Sequence, residues 1–137
     1  KGIEIKDFDL EKMNNKVFYV DPLPINFDKT EELAFGISML GNDTIAQNEI
    51  TFLDTKEIGV FDIKWKGKIA NTYLGEKEFD YEFYLYMKNI KFEGIKIHSS
   101  LQKEDVNEFI VSNNLNNFEL LEADDSTLEK YVIKLKK

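Results

Sequence analysis

Over residues 58–101 apolar and polar positions alternate with a period of two, the mark of half-buried strands. Phe61, Ile63, Trp65, Ile69 and Tyr73 fall on one side, and Asp62, Lys64, Lys66, Lys68 and Thr72 on the other. The spacing predicts an antiparallel strand that packs Phe61, Ile63, Trp65 and Tyr73 on a core and holds Lys64, Lys66 and Lys68 in water. Gly67 interrupts it and predicts a bulge or bend. After a turn at Leu74-Gly75-Glu76-Lys77, the next run places Phe79, Tyr81, Phe83, Leu85 and Met87 on one face and Tyr84 and Tyr86 on the other, so both faces carry apolar surface. Glu93-Gly94 predicts another turn and Ile95 with Ile97 another strand, which makes a meander of three or more strands.

The flanks are read in the same way. Ile3, Ile5 and Phe8 predict a short opening strand that runs into a polar turn at residues 9–15. The KVFYV run at 16–20 has strand composition, and Asp21-Pro22-Leu23-Pro24 stops it, because proline cannot donate to a ladder. Thr30 to Gly41 predicts a short helix, with Thr30 as N-cap, Glu31 and Glu32 in its first turn, and Leu33, Ile37 and Leu40 as its stripe. The same stretch also alternates like a strand through Leu33, Phe35, Ile37 and Met39, and Gly36 weakens a helix interior by about 1 kcal/mol. Glu49–Leu53 predicts a strand. Ser99 with Gln102 forms a capping box ahead of Val106, Phe109 and Ile110, which predicts a helix from about Leu101 to about Ser112, closed by Asn113-Asn114. Two last strands, near Phe118–Leu121 and Tyr131–Leu135, are joined through Ala123-Asp124-Asp125-Ser126. The expected class is α+β: an antiparallel β-meander sheet of about six to eight strands with one or two short helices packed on it, in a single domain spanning 1–137.

Composition narrows the chemistry. The 137 residues include no cysteine, which removes disulfides, thiolate nucleophiles, iron–sulfur clusters and cysteine-based zinc sites. All 18 basic residues are lysines, so there is no guanidinium fork for phosphate or carboxylate, and phosphoryl transfer is not expected. Lysine, asparagine and isoleucine enrichment fits an AT-rich, bacterial genome. No run approaches the ~18 consecutive apolar residues of a membrane helix, so the chain is expected to be soluble. Its first residue is Lys1, which leaves room for a signal segment removed upstream. The net charge is −8. Residues 1–62 hold 6 lysines and 13 acids, and residues 63–137 hold 12 and 13, so the N-terminal half carries most of the charge. Such a field repels nucleic acid and speeds encounters with a cationic partner.

No stretch carries a catalytic or ligand fingerprint. His98 is the only imidazole and reads as a strand-end residue. Gly36-Ile37-Ser38-Met39-Leu40-Gly41 misses the nucleophile elbow, since Leu40 stands where glycine is required. Asp7, Asp9 and Glu11 share the spacing of a calcium loop, but Lys12 and Phe18 occupy its two diagnostic positions. Asp124-Asp125-Ser126 reads as a turn, and Asn42-Asp43-Thr44 matches the glycosylation triplet by composition alone. Neither a cofactor nor a metal is expected. Asp80 and Glu82 share a strand face and offer the one carboxylate pair worth weighing for hydrolysis.

By elimination the expectation is a non-enzymatic protein-binding domain, most concretely an immunity or inhibitor protein that neutralises a basic toxin such as a nuclease. Its contacts would be Asp21, Asp28, Glu31, Glu32, Asp54 and Glu57, with Tyr84 and Tyr86 as anchors. An inhibitor of a nuclease would be cytoplasmic. Two alternatives are a secreted or lipid-anchored cell-envelope domain that binds an apolar ligand or envelope partner, periplasmic or at the cell surface, and a carboxylate-dependent hydrolase.

Overall fold

The computed structural model describes residues 2–3, 9–38, 41–98, 100, 118–122 and 129–136. Its strands are β1 (Val17–Val20), β2 (Ile37–Ser38), β3 (Asn42–Asp54), β4 (Val60–Ala70), β5 (Tyr81–Lys91), β6 (Ile95–His98), β7 (Phe118–Glu122) and β8 (Glu129–Leu135). They form two antiparallel sheets. The larger has the order β1-β3-β4-β5, with β2 beside one end of β3, and the smaller has the order β6-β8-β7. The meander through β3, β4 and β5 follows the period-two pattern. The expected single sheet is divided into two, and among the described residues the helical part is three short 3-10 segments, Glu11–Met13, Phe27–Glu32 and Thr72–Leu74. The helix expected near Leu101–Ser112 lies outside the described residues, as do Ile5, Phe8, Ser99 and the 123–128 turn.

Register turns the alternation into two faces. Trp65 sits between Ile50 of β3 and Leu85 of β5, and Ile63 between Phe52 and Met87. These rows make one apolar face. Its β4 Phe61 end packs with Leu10, Met13, Ile97, Phe118 and Ile133, so the smaller sheet closes the core there. Edge-to-face rings continue the packing, Phe18 on Phe52 at 5.7 Å and Phe52 on Phe61 at 5.6 Å. Toward the other end Phe35 covers Trp65 at 4.9 Å, and Phe27 stacks on Phe79 at 5.8 Å. As the alternation predicts, Phe61 is buried, Ile63 and Trp65 are half-buried on this face, and Lys64 and Lys66 are exposed. Lys68 is half-buried rather than fully in water.

Three expectations are corrected. Tyr73 is 63% exposed, because the chain leaves β4 at Ala70 and turns through Thr72–Leu74, where strand parity no longer applies. β6 does not extend the meander: it pairs with β8 in the second sheet. Gly94, at φ 142°, permits that departure, since a Cβ there would overlap the Ile133 carbonyl oxygen. No helix begins at Thr30. The 3-10 segment ends at Glu32, Leu33 is extended (φ −64°, ψ 149°) and Ile37 lies in β2. Tertiary bonds hold it so, for the Ala34 N–H donates to the Asp21 carboxylate at 3.0 Å and the Ala34 carbonyl accepts from Gly2 at 2.9 Å. The expected Glu49–Leu53 strand is present within the longer β3, which begins at Asn42, and of the expected opening strand only Ile3 is described, in no strand.

Candidate functional site

The site grows from an irregularity in the β3–β4 ladder. Ala46 pairs with Lys68 and Glu49 with Lys66, leaving Gln47 and Asn48 both opposite Gly67. This is a β-bulge, and its first residue, Gln47, adopts φ 51°. The extra residue turns Asn48 inward to 1% exposure. A buried amide must satisfy both ends, and this one does: Oδ1 accepts from Trp65 Nε1 at 2.9 Å, and Nδ2 donates to Asp21 Oδ2 at 3.3 Å. The Gln47 N–H donates to the Asp21 carbonyl at 2.6 Å. Gly67 is required by close approach rather than by its own conformation, since a Cβ would lie 2.8 Å from Phe83 Cε1 and 2.9 Å from Asn48 Oδ1.

Beside the bulge opens a cavity of about 470 Å³, lined by Tyr19, Gln47, Glu49, Lys66, Lys68 and Glu82 with Val20, Pro22 and Phe83. It belongs to a larger open surface, the polar face of the five-stranded sheet. Across four strands run two rows, Tyr19–Glu49–Lys66–Tyr84 and Val17–Thr51–Lys64–Tyr86. Tyr19 is 77% exposed, Tyr84 60% and Tyr86 46%. The groups around them are held in place. Lys66 Nζ bridges Glu49 Oε2 at 3.0 Å, and that hydrogen bond raises the lysine pKa. The Tyr86 hydroxyl donates to Asp62 Oδ2 at 2.7 Å, and the Asn89 N–H donates to Oδ1 at 3.0 Å. These two bonds, the hydroxyl first, hold the Asp62 carboxyl below its usual range, and the bond from the hydroxyl to Asp62 pushes the Tyr86 phenol up. The Lys88 ammonium lies 5.5 Å from the Tyr86 ring centroid. Lysines and acids are interspersed here, Lys66 beside Glu49 and Lys68 opposite Glu82, so this face does not share the excess of acid that gives the chain its charge of −8.

The acids singled out in the sequence do not converge. Asp21 is half-buried, and its carboxylate serves Ala34 and Asn48. Asp28, Glu31 and Glu32 are exposed on the Phe27–Glu32 segment, with Glu32 bridged to Lys29 at 3.3 Å. The stacking of Phe27 on Phe79 sets that segment near the start of β5, where Tyr81 pairs with Ile69 and Ile69 with Ile45. Asp54 and Glu57 lie at the other end of β3, around a recess of about 230 Å³. At ~3.3 Å per residue, the strand from Ile45 to Asp54 separates the two acid groups by about 30 Å. Tyr84 and Tyr86, by contrast, are joined by Tyr19, Glu49, Lys66, Lys68 and Gln47, which the sequence reading did not single out. Tyr19 was legible there, since it alternates with Phe18 in the 16–20 run. The bulge had one hint, Gly67.

The remaining candidates have local roles. His98, at the end of β6, is exposed, with Nδ1 2.9 Å from Ser100 Oγ. Asp9 caps the first 3-10 segment through Glu11 N at 3.1 Å and bridges Lys12 at 3.0 Å. Burial acts to raise its pKa, but the bonds to Lys12 and Glu11 outweigh it and the net shift is down. Ser38 Oγ donates to Asn42 Oδ1 at 2.8 Å. Glu82 lies opposite Lys68, and Asp80 is exposed ahead of β5. Among the described residues no three His, Cys, Asp or Glu side chains gather as a metal site, and no helix is long and apolar enough to cross a membrane. No protein-family model, curated protein or solved structure matches the chain.

Proposed function

We propose that the protein is a binding domain that docks a protein partner on the open polar face of its five-stranded sheet, with Tyr19, Tyr84 and Tyr86 as anchors. The observation that carries this reading is the arrangement of the three rings. They stand exposed on neighbouring rows of one sheet face, and Tyr86 is already fixed by Asp62 and Lys88. Tyrosine gives much contact area at low entropic cost, and side chains ordered before binding lose less freedom on docking. The concrete form of the reading is an inhibitor of a basic toxin such as a nuclease. The net charge of −8 favours a basic partner at long range, while the acids at the two ends of β3 act as steering charges rather than contacts.

The test is to capture partners from the organism that makes the protein and to measure kinetics with the best candidate. Removing a tyrosine anchor, as in Tyr84→Ala or Tyr86→Ala, should speed dissociation by about thirtyfold, corresponding to about 2 kcal/mol. The combined E31Q/E32Q/D54N/E57Q variant should slow association at low salt and leave dissociation nearly unchanged. A partner that binds the Tyr19→Ala/Tyr84→Ala/Tyr86→Ala variant as tightly as the parent would refute this face as the docking surface.

A further inference from the structure

β5 is the terminal strand of its sheet, and its ladder partners among the described residues all lie on β4. Nine of its eleven residues are exposed, among them Tyr81, Leu85 and Ile90 on the apolar side and Tyr84 and Tyr86 on the polar side. A long edge with exposed apolar side chains is a template for another strand, because its outward N–H and C=O groups accept any chain that matches them. The sequence of β5 matches itself.

When two copies are laid antiparallel about a two-fold axis through Leu85, Glu82 faces Lys88 of the second copy and Lys88 faces its Glu82. Phe83 then meets Met87, Tyr84 meets Tyr86, and Leu85 meets Leu85. Faces are conserved by an axis normal to the sheet, so apolar positions meet apolar positions and tyrosines meet tyrosines. Moving the axis to Tyr84 sets Glu82 against Tyr86, and moving it to Tyr86 sets Glu82 against Ile90 and Tyr84 against Lys88. The Leu85 axis alone among these satisfies both charges of the 82–88 segment. The strand also limits its own pairing. The ladder slips between Phe61 and Ile63, leaving Lys88 and Asn89 both opposite Asp62, and Asn89 adopts φ 54° with its N–H turned onto Asp62, so regular geometry ends at Met87 and Lys88 reaches its opposite number from the start of the bulge.

We infer that the chain forms a two-fold dimer by antiparallel pairing of β5 edges centred on Leu85. The dimer joins two five-stranded sheets into one and brings the Tyr84 and Tyr86 rows of both copies side by side. It goes beyond the docking reading and needs no other partner, so either can fail alone. A seven-residue edge is a small interface, and the association is accordingly reversible and dependent on concentration.

The test is sedimentation of the chain by itself from about 1 μM to about 1 mM, a range that spans weak to moderate dimers. The parent should pass from monomer to twice the monomer mass. Glu82→Lys and Lys88→Glu each set like charges opposite each other twice across the axis and should weaken the dimer by tenfold or more, while the E82K/K88E pair restores it. Both sites are exposed, and circular dichroism of each variant checks that the fold is kept. A parent that stays monomeric throughout would overturn the inference. So would a dimer that neither single charge reversal weakens, since its interface would lie elsewhere.

Discussion

Asn48 is the residue on which the bulge, the Trp65 packing and the Asp21 loop all converge, and replacing it tests that argument. Asn48→Ala deletes the acceptor of the Trp65 indole N–H and the donor to Asp21. A buried donor left without a partner costs about 1–3 kcal/mol, and the longer bond to the Asp21 carboxylate adds about 1 kcal/mol, for a total of about 2–4 kcal/mol. At a mid-range urea slope of about 2 kcal/mol per molar, the midpoint should fall by about 1–2 M. Trp65 is the only tryptophan, so unfolding is followed by circular dichroism to keep Trp65→Phe on the same scale. The Asn48→Ala/Trp65→Phe cycle should show a coupling of about 1 kcal/mol or more, because each single change removes the same bond. Asn48→Asp keeps an acceptor for the indole but places a second carboxylate against Asp21. It should be destabilised relative to the parent, because two like charges are then held together in a partly buried site. An Asn48→Ala midpoint equal to the parent's, or a coupling of zero, would refute the view that this amide organises the site.

Gly67→Ala should cost about 1–3 kcal/mol by overpacking against Phe83 and Asn48, read as a lower denaturation midpoint; a neutral result would mean that the bulge relaxes freely. Asp62 titrates below its ordinary 3.8, chiefly because of the Tyr86 hydroxyl. A depressed folded pKa contributes stability above the unfolded value that is lost as pH falls through the folded one, so Tyr86→Phe should raise the Asp62 titration midpoint toward 3.8 and reduce the loss of stability on acidification below that value. Carbon-detected NMR titration of the carboxyl checks it, and an unmoved midpoint would show that the hydroxyl is not the cause.

Period-two alternation is a local property of the chain, and it alone determined β4, β5, their apolar faces and the outward placement of Tyr84 and Tyr86. Strand composition likewise located β1, β7 and β8. Four features were decided elsewhere. Asn48 is buried because the ladder slips by one residue opposite Gly67, and a slip is a property of two strands rather than one. The 30–38 segment is extended because Asp21, thirteen residues before Ala34, captures its backbone N–H, a long-range bond that outweighs helix propensity. Ile95 and Ile97 read as strand in either sheet; their pairing with Tyr131 and Ile133 is what sent them to the second. The acidic half of the chain became two separate groups because the ten-residue run from Ile45 to Asp54 is longer than the reach of a charged side chain. Composition counts charges, but the distance between them is set by the strand that carries them apart.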